Sequence, residues 1–103
     1  MATDKKYFYL RLHGPRKTFA LDMNDEERAL MQKHVAYWAG IAPKGVIVVL
    51  GPVMEPGGPW GMCVLEVNDE NEAKEFSEND PVIQSNRGFR YEMYPMRAGQ
   101  VRK

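Results

Sequence analysis

The sequence lacks cysteine pairs, an excess of one charge and any long apolar run, and each absence excludes a class of protein. Cys63 is the single cysteine, which excludes an internal disulfide and a cysteine-cluster metal site and favours a reducing compartment. Fourteen basic residues balance fourteen acidic ones, which argues against binding nucleic acid or anionic membrane through bulk charge. The apolar run at 7–10 is far shorter than a signal-peptide core or the roughly 20 residues of a membrane helix. We therefore expect a cytoplasmic protein without membrane or nucleic-acid partners.

The sequence does contain enough apolar residues for one packed domain. Its 103 residues are 44% hydrophobic and 11% aromatic, and no repeat, linker or low-complexity tract divides them. We expect a single domain over 1–103, ordered from about 5 to 96, with a basic and frayed tail at 97–103. A net charge of zero also removes the repulsion that keeps small proteins apart, so we expect self-association.

The first half of the chain predicts a strand followed by a helix. Residues 6–13 alternate between an apolar side and a side that carries aromatic and polar groups, and Gly14-Pro15 ends the strand. Asn24, with Glu27 three residues later, has the spacing of a capping box that opens a helix running to about Ala42. The apolar stripe of that helix comprises Leu30, Met31, Val35, Trp38, Ile41 and Ala42.

The second half predicts a hairpin, a short helix and a last strand. The β-branched run at 46–50 is typical of a buried strand, residues 51–59 of a long turn, and residues 60–67 of a second strand. Asp69 with Glu72 predicts a second capping box at the start of a helix.

A further helix start and a strand complete the pattern. Asp80 can cap a helix with Pro81 at its first position, and residues 88–94 alternate again as a strand. The resulting order, strand–helix–strand–strand–helix–strand, predicts a ferredoxin-like α+β fold with a four-stranded antiparallel sheet. Both helices should cover one face of the sheet, which leaves Tyr7 and Tyr9 on an open face suited to a partner or ligand. Two such faces packed together would make a dimeric barrel.

RNA-recognition modules share this strand order, but the sequence lacks the features that they require. They stack bases on aromatic side chains within a basic and glycine-containing motif. The strand at 60–67 contains no basic residue, and the net charge is zero. An RNA-binding function is therefore rejected.

His34 is the leading candidate for acid–base chemistry, and Asp80 is its candidate partner. His34 lies four residues from both Leu30 and Trp38, which places it on the buried side of the helix or at its edge. Imidazole can give or take a proton near neutral pH, and a carboxylate can hold its tautomer. The structural alternative remains open for both, because a histidine at a core edge can simply pack and an aspartate before proline can simply cap a helix.

Several other side chains are candidate substrate contacts. Arg11 and His13 share a strand face, where they could hold a carboxylate or phenolate or could equally form a solvated edge. Trp60 follows a glycine- and proline-rich turn that lacks the spacing of a phosphate-binding loop. Tyr9 and Trp38 complete the candidate set.

The histidine count argues against a metal site. The chain has two histidines and no HExxH or Cys/His cluster, so we expect no dedicated metal and no cofactor. Haem binding through the helix histidine is an alternative, since one histidine on a helix is compatible with haem ligation. The colour of the purified protein distinguishes a haem-binding protein from one without a cofactor.

Several short segments resemble the YCII-related (YciI-like) family across nearly the whole chain. The resemblance rests on Arg-Leu-His-Gly-Pro at 11–15, Lys-His-Val-Ala-Tyr-Trp at 33–38, Leu-Gly-Pro at 50–52, Asn-Asp-Pro at 79–81 and Glu-Met-Tyr-Pro at 92–95. It implies a ferredoxin-like fold assembled as a dimeric α/β barrel, similar to that of muconolactone isomerase. It also implies a pocket dyad of His34 and Asp80. The chain departs from the family in having Val82 where phenylalanine often follows Asp-Pro, so no substrate is carried over.

Two functional hypotheses follow from the residues and the resemblance together. In the first, the protein is a cofactor-independent lyase or isomerase in which His34, oriented by Asp80, acts on a small and ring-bearing acidic or phenolic substrate. Arg11 would neutralise developing oxyanion charge in that enzyme. In the second, the protein is a non-catalytic homodimer that binds a small ligand or serves as an accessory protein.

Overall fold

A computed structural model describes residues 5–102 of the chain. The two ends of the predicted domain, residues 1–4 and Lys103, lie outside the described residues. The regular elements, in chain order, are β1 (Lys6–His13), α1 (Asp25–Ile41), β2 (Ile47–Val53), β3 (Trp60–Val67), α2 (Glu70–Glu78), α3 (Pro81–Gln84) and β4 (Arg90–Met96). No helix within residues 5–102 is long and apolar enough to cross a membrane.

The four strands form one antiparallel sheet in the order β2-β3-β1-β4. On the central strand β1, Leu10 is paired with Cys63 of β3 on one side and with Met93 of β4 on the other. Directly opposed residues in an antiparallel pair share a sheet face, so these three side chains point to the same side. The predicted ferredoxin-like α+β fold is confirmed, with α3 as an additional single-turn helix.

One face of the sheet is covered by helices and holds the main core. Leu10 and Leu65 are completely buried there, beside Trp38 of α1 and Ala73 of α2. Burial of each large apolar side chain contributes roughly 1.5–3 kcal/mol. The alternation predicted for residues 6–13 is thus confirmed, with the apolar side chains of β1 pointing into this core.

The start of α1 is fixed to the loop that precedes it. The Asn24 side chain accepts from the Glu27 backbone N–H at 2.8 Å, and the Asn24 N–H donates to the Glu27 carboxylate at 2.9 Å. This is the predicted capping box. The Glu27 carboxylate also receives two hydrogen bonds of 2.9 Å from Arg16, so the loop after β1 and the first turn of α1 form one unit.

The second predicted capping box is shifted by one residue. Asp69 does accept from the Glu72 N–H at 2.9 Å. The Glu72 carboxylate, however, accepts from the N–H of Asn68 at 2.8 Å rather than from the cap residue itself. The helix start was correctly located, but the reciprocal contact belongs to the preceding residue.

The prediction of a buried strand at 46–50 was wrong. Val46 is buried, but Val48, Val49 and Leu50 are 40–46% exposed, and the strand runs on to Val53. The reason is its place in the sheet, because β2 is an outer strand with one neighbour. Its register with β3 is also irregular near its start, and a β-branched run cannot report which position in a sheet a strand will take.

The opposite sheet face is open, as predicted. The rings of Tyr9 and Tyr94 stack across β1 and β4 with centroids 6.4 Å apart. Val49, Tyr94 and Met96 are 46%, 52% and 43% exposed. The open face therefore presents apolar surface beside its polar groups.

Candidate active site

Asp80 is the centre of the site and is completely buried. As the sequence predicted, it caps α3, since its Oδ1 accepts from the Val82 N–H at 3.1 Å and Pro81 occupies the first helical turn. This contact uses only one of the two carboxylate oxygens. The capping function therefore leaves Oδ2 available for other donors.

The second oxygen of Asp80 accepts hydrogen bonds from three side chains. The distances to Oδ2 are 2.8 Å from His34 Nδ1, 2.8 Å from Trp38 Nε1 and 2.6 Å from the Tyr91 hydroxyl. His34 and Trp38 can both reach it because residues four apart lie on one face of a helix. Three neutral or cationic donors around one buried carboxylate oxygen are enough to hold it in the ionised state.

The charge state of the cluster follows from burial and these hydrogen bonds. Burial alone raises the pKa of the Asp80 carboxyl, but hydrogen bonds from His34, Tyr91 and Trp38 outweigh it and leave that pKa below its ordinary value. Burial and the neighbouring Asp80 charge raise the pKa of the Tyr91 phenol. At neutral pH Asp80 is therefore an acceptor and Tyr91 a donor.

This charge state assigns the tautomer of His34. An ionised carboxylate can only accept, so Nδ1 of His34 must carry the proton that it donates to Asp80. In the neutral ring, Nε2 is then the basic nitrogen. Nε2 makes no hydrogen bond within residues 5–102 and is not among the buried unpaired atoms of that range.

His34 also lines a cavity between α1 and the covered face of the sheet. The cavity has a volume of about 270 Å³, near the lower end of the roughly 300–1,000 Å³ of ligand pockets. No lysine, arginine or carboxylate lines it among the described residues. Its remaining walls are formed by Leu12, Ala20, Met31, Val35, Leu50, Gly51, Pro52, Pro59, Trp60, Gly61, Met62, Cys63 and Tyr91.

Val35 and Leu50 form part of this wall, although the sequence assigned both to the core. Val35 is 63% exposed and Leu50 is 40% exposed, so each faces the cavity and solvent rather than packed side chains. Their exposure is explained by the cavity, which leaves this stretch of α1 and the outer strand β2 without a covering element.

Cys63 lies in the cavity wall and is buried. Burial raises the pKa of its thiol to about 12, so at neutral pH the sulfur is protonated. A protonated thiol is a poor nucleophile. Among the described residues that line the cavity, His34 is therefore the group best suited to proton transfer.

The structure separates the predicted substrate contacts from one another. Trp60 lines the His34 cavity, whereas Trp38 is 1% exposed and holds Asp80 instead of facing the cavity. Tyr9, Arg11 and His13 lie in the row of β1 that faces away from the helices. Arg11 is thus not beside His34, because alternate residues of a strand point to opposite faces.

Tyr91 was not among the predicted site residues. The alternation at 88–94 did place it in the same row as Phe89 and Met93, on the covered face. A tyrosine in a buried row needs a hydrogen-bond partner for its hydroxyl. That requirement is the signal which could have identified it as a third donor to Asp80.

Within residues 5–102, no group of three or more His, Cys, Asp or Glu side chains is arranged to hold a metal ion. A family model described as the YCII-related domain matches residues 7–97 of the chain. No curated protein matches the chain.

Proposed function

This chain belongs to the YCII-related domain family, and we propose that it is an enzyme in which His34 performs acid–base chemistry on a small molecule. The observation that carries the proposal is the placement of His34 between a buried carboxylate and a cavity. Its Nδ1 lies 2.8 Å from Asp80, while the ring lines the cavity. A histidine oriented through one nitrogen and open at the other is the arrangement of a general base.

Proton transfer would use Nε2 of His34. The nitrogen takes a proton from the bound substrate, and the imidazolium that forms is stabilised by the Asp80 carboxylate. The imidazolium then gives the proton back. Return to a second atom of the substrate completes an isomerisation, whereas return to a departing group completes a lyase-type elimination. His34 is neutral again at the end of either reaction.

The cavity favours a small, ring-bearing substrate with a neutral acidic group. Its walls are mainly apolar, and it holds no cation that could pair with a carboxylate within the described residues. A phenol-type hydroxyl enters such a site uncharged and can then lose its proton to His34. This argues for phenolic over carboxylate substrates.

A thermal-shift screen with small phenols, lactones and carboxylates tests this proposal. The wild-type protein should gain thermal stability with phenols, whereas a His34→Gln variant should not. His13→Gln is the matched control, because its histidine lies on the opposite face of the sheet. Turnover of a stabilising compound should then be lost in His34→Gln and retained in His13→Gln. Equal stabilisation and turnover in all three proteins would contradict the proposal.

The second candidate is a homodimer that binds a small ligand without turnover. It is supported by the exposed apolar groups on the open face, among them Val49, Tyr94 and Met96, and by the zero net charge. We propose that a second copy covers this face, whether or not the protein is catalytic.

Sedimentation measures the assembly directly. A dimer is expected for the wild-type chain and a monomer for Val49→Glu, because a buried unpaired charge opposes association. Leu21→Glu is the control, since Leu21 is 63% exposed and lies outside the sheet. A monomeric wild-type protein would contradict the dimer, and a dimer with ligand binding but no turnover would favour the non-catalytic function.

A further inference from the structure

A second cavity lies at one end of the open face and differs in character from the His34 cavity. Its volume is also about 270 Å³. The charged groups that line it are all basic: Arg11, His13, Arg16, Lys17 and Arg90. Because the net charge of the whole chain is zero, this cluster of basic side chains is not a consequence of an overall basic composition.

Two of these five groups are already neutralised by acidic neighbours. Arg16 is bonded to both Glu27 and Asp22, at 2.9 and 2.7 Å. His13 is hydrogen-bonded to Glu92 through Nε2. These pairs hold the wall of the cavity in place and contribute little free positive charge.

The other three basic groups are only partly balanced by acidic neighbours. Arg11, Lys17 and Arg90 make no side-chain hydrogen bond or ion pair within residues 5–102. The charge of Arg90 does lower the pKa of the Glu92 carboxyl, and Glu92, which also pairs with His13, lies opposite Arg11 in the strand register. One carboxylate is thus set against several cations, and the cavity keeps an excess of positive charge that an entering anion would relieve.

Arg11 is held in a fixed position within this group. Its guanidinium carbon lies 4.2 Å from the centre of the Trp60 ring, a stacking that leaves the N–H groups in the guanidinium plane free. Its Nε is buried without an acceptor. Buried donors are rarely left unpaired in proteins, so a bound ligand that accepts from Nε would complete the hydrogen bonding of this side chain.

The walls of the cavity are closely packed. A Cβ atom placed on Gly58 would lie 3.0 Å from the Lys17 carbonyl oxygen, so the loop before β3 touches the segment after β1. This contact holds the backbones of the two wall segments together. The backbone walls of the cavity are therefore formed before any ligand binds.

We propose that the basic cavity, which has Pro59 and Trp60 in common with the lining of the His34 cavity, is a distinct binding site for a phosphate group. The positive charge that remains on Arg11, Lys17 and Arg90 beside the single Glu92 carboxylate matches the charge of about −1.5 to −2 on a phosphate better than the single charge of a carboxylate. The planar Arg11 guanidinium can donate two parallel hydrogen bonds to phosphate oxygens. The phosphate can be inorganic or part of a small phosphate ester, for which the Trp60 ring and Phe19 provide apolar surface.

Titration of the whole protein with inorganic phosphate, followed by NMR, tests the site. The backbone amides of His13, Gly14, Arg16 and Lys17, which line this cavity and not the His34 cavity, should shift with saturation. Phenyl phosphate and acetate form two further arms. Tighter binding of phenyl phosphate than of inorganic phosphate assigns the site to an ester, equal binding assigns it to the free ion, and tighter binding of acetate than of phosphate contradicts the proposal.

Charge-removing variants establish which residues bind. Arg11→Gln, Arg90→Gln and Lys17→Gln should each weaken phosphate binding about tenfold, because each removes a charge-assisted contact. Arg90 and Lys17 are exposed, so their replacement leaves folding intact even if Arg11→Gln does not fold. Lys33→Gln is the matched control, since Lys33 is an exposed lysine outside the cavity.

The proposal and the proposed enzyme function can fail independently. His34→Gln should bind phosphate as tightly as wild type, because His34 belongs to α1 and does not line the basic cavity. The site is overturned by the absence of saturation at about 10 mM phosphate, well above a millimolar Kd. It is also overturned by equal binding in Arg90→Gln, Lys17→Gln and Lys33→Gln, or by shifts confined to the His34 cavity.

Discussion

The Nδ1 atom of His34 and the Oδ2 atom of Asp80 lie 2.8 Å apart, although 46 positions separate the two residues in the chain. One belongs to the middle of α1 and the other caps α3. The contact is completed by Trp38 and Tyr91, which donate to the same oxygen. Three of the four predictions below concern this group of four side chains, in which Asp80 and Trp38 are fully buried.

Replacement of Asp80 by asparagine should damage both stability and activity. The amide keeps the shape but loses the charge that accepts three donors, and hydrogen bonds to a charged group are worth about 1.5–3 kcal/mol each. We expect the free energy of unfolding to fall by about 2–3 kcal/mol, as measured by urea denaturation. Asp69→Asn, which alters the exposed cap of α2, is the control and should change stability by less than 1 kcal/mol. An Asp80→Asn protein as stable as wild type would show that the carboxylate charge contributes nothing to the fold.

The stabilisation by Asp80 should depend on pH in a defined direction. The pKa of its carboxyl is lower in the folded protein than its ordinary value, which is about 3.9 in an unfolded chain. Its contribution is therefore fully present above about pH 4 and is lost as the pH falls through the lower, folded value. Urea unfolding of wild type and Asp80→Asn between neutral and acid pH measures this. The stability difference should be constant near neutrality and should shrink in the acid range, and a difference that grows below pH 4 would reverse the sign.

Replacement of Tyr91 by phenylalanine should weaken the group without removing it. Asp80 keeps its bonds to His34 and Trp38, so the stability loss should be about 1–2 kcal/mol. Tyr94→Phe is the matched control on the same strand, because that hydroxyl donates to Glu92 on the open face. Turnover of a compound identified in the screen should fall about tenfold in Tyr91→Phe and remain unchanged in Tyr94→Phe. Equal effects of the two variants would argue against a positioning function for Tyr91.

Two glycines should respond to alanine in opposite directions. Gly40 lies inside α1 with open space where a Cβ would be placed, so Gly40→Ala should raise the free energy of unfolding by about 0.5–1 kcal/mol. At Gly58 the same atom would lie 3.0 Å from the Lys17 carbonyl, and Gly58→Ala should lower the melting temperature. Calorimetry of both variants measures these changes. A destabilising Gly40→Ala would show that this part of α1 is covered in solution.

The local elements could be predicted from the sequence because their signals are local. The alternation at 6–13 fixed the limits of β1, and the spacing of Asn24 and Glu27 fixed the start of α1. The position of β2 could not be predicted, since an edge strand and a central strand can have the same β-branched composition. Asp80 illustrates the difference within one residue: its capping bond reaches two positions along the chain, whereas its bonds to His34 and Trp38 cross more than forty.

The sequence by itself determined the order of the elements and the fold class, and it indicated His34 and Asp80 as candidates for acid–base chemistry. These depend on periodicity, caps and residue type, which are properties of neighbouring positions. Only the tertiary structure decided that Tyr91 joins Asp80, that Trp38 supports it, and that Arg11 lies over the ring of Trp60. The physical reason is that these relations depend on strand order and on the packing of α1 against the sheet, which bring together groups that are far apart in the chain.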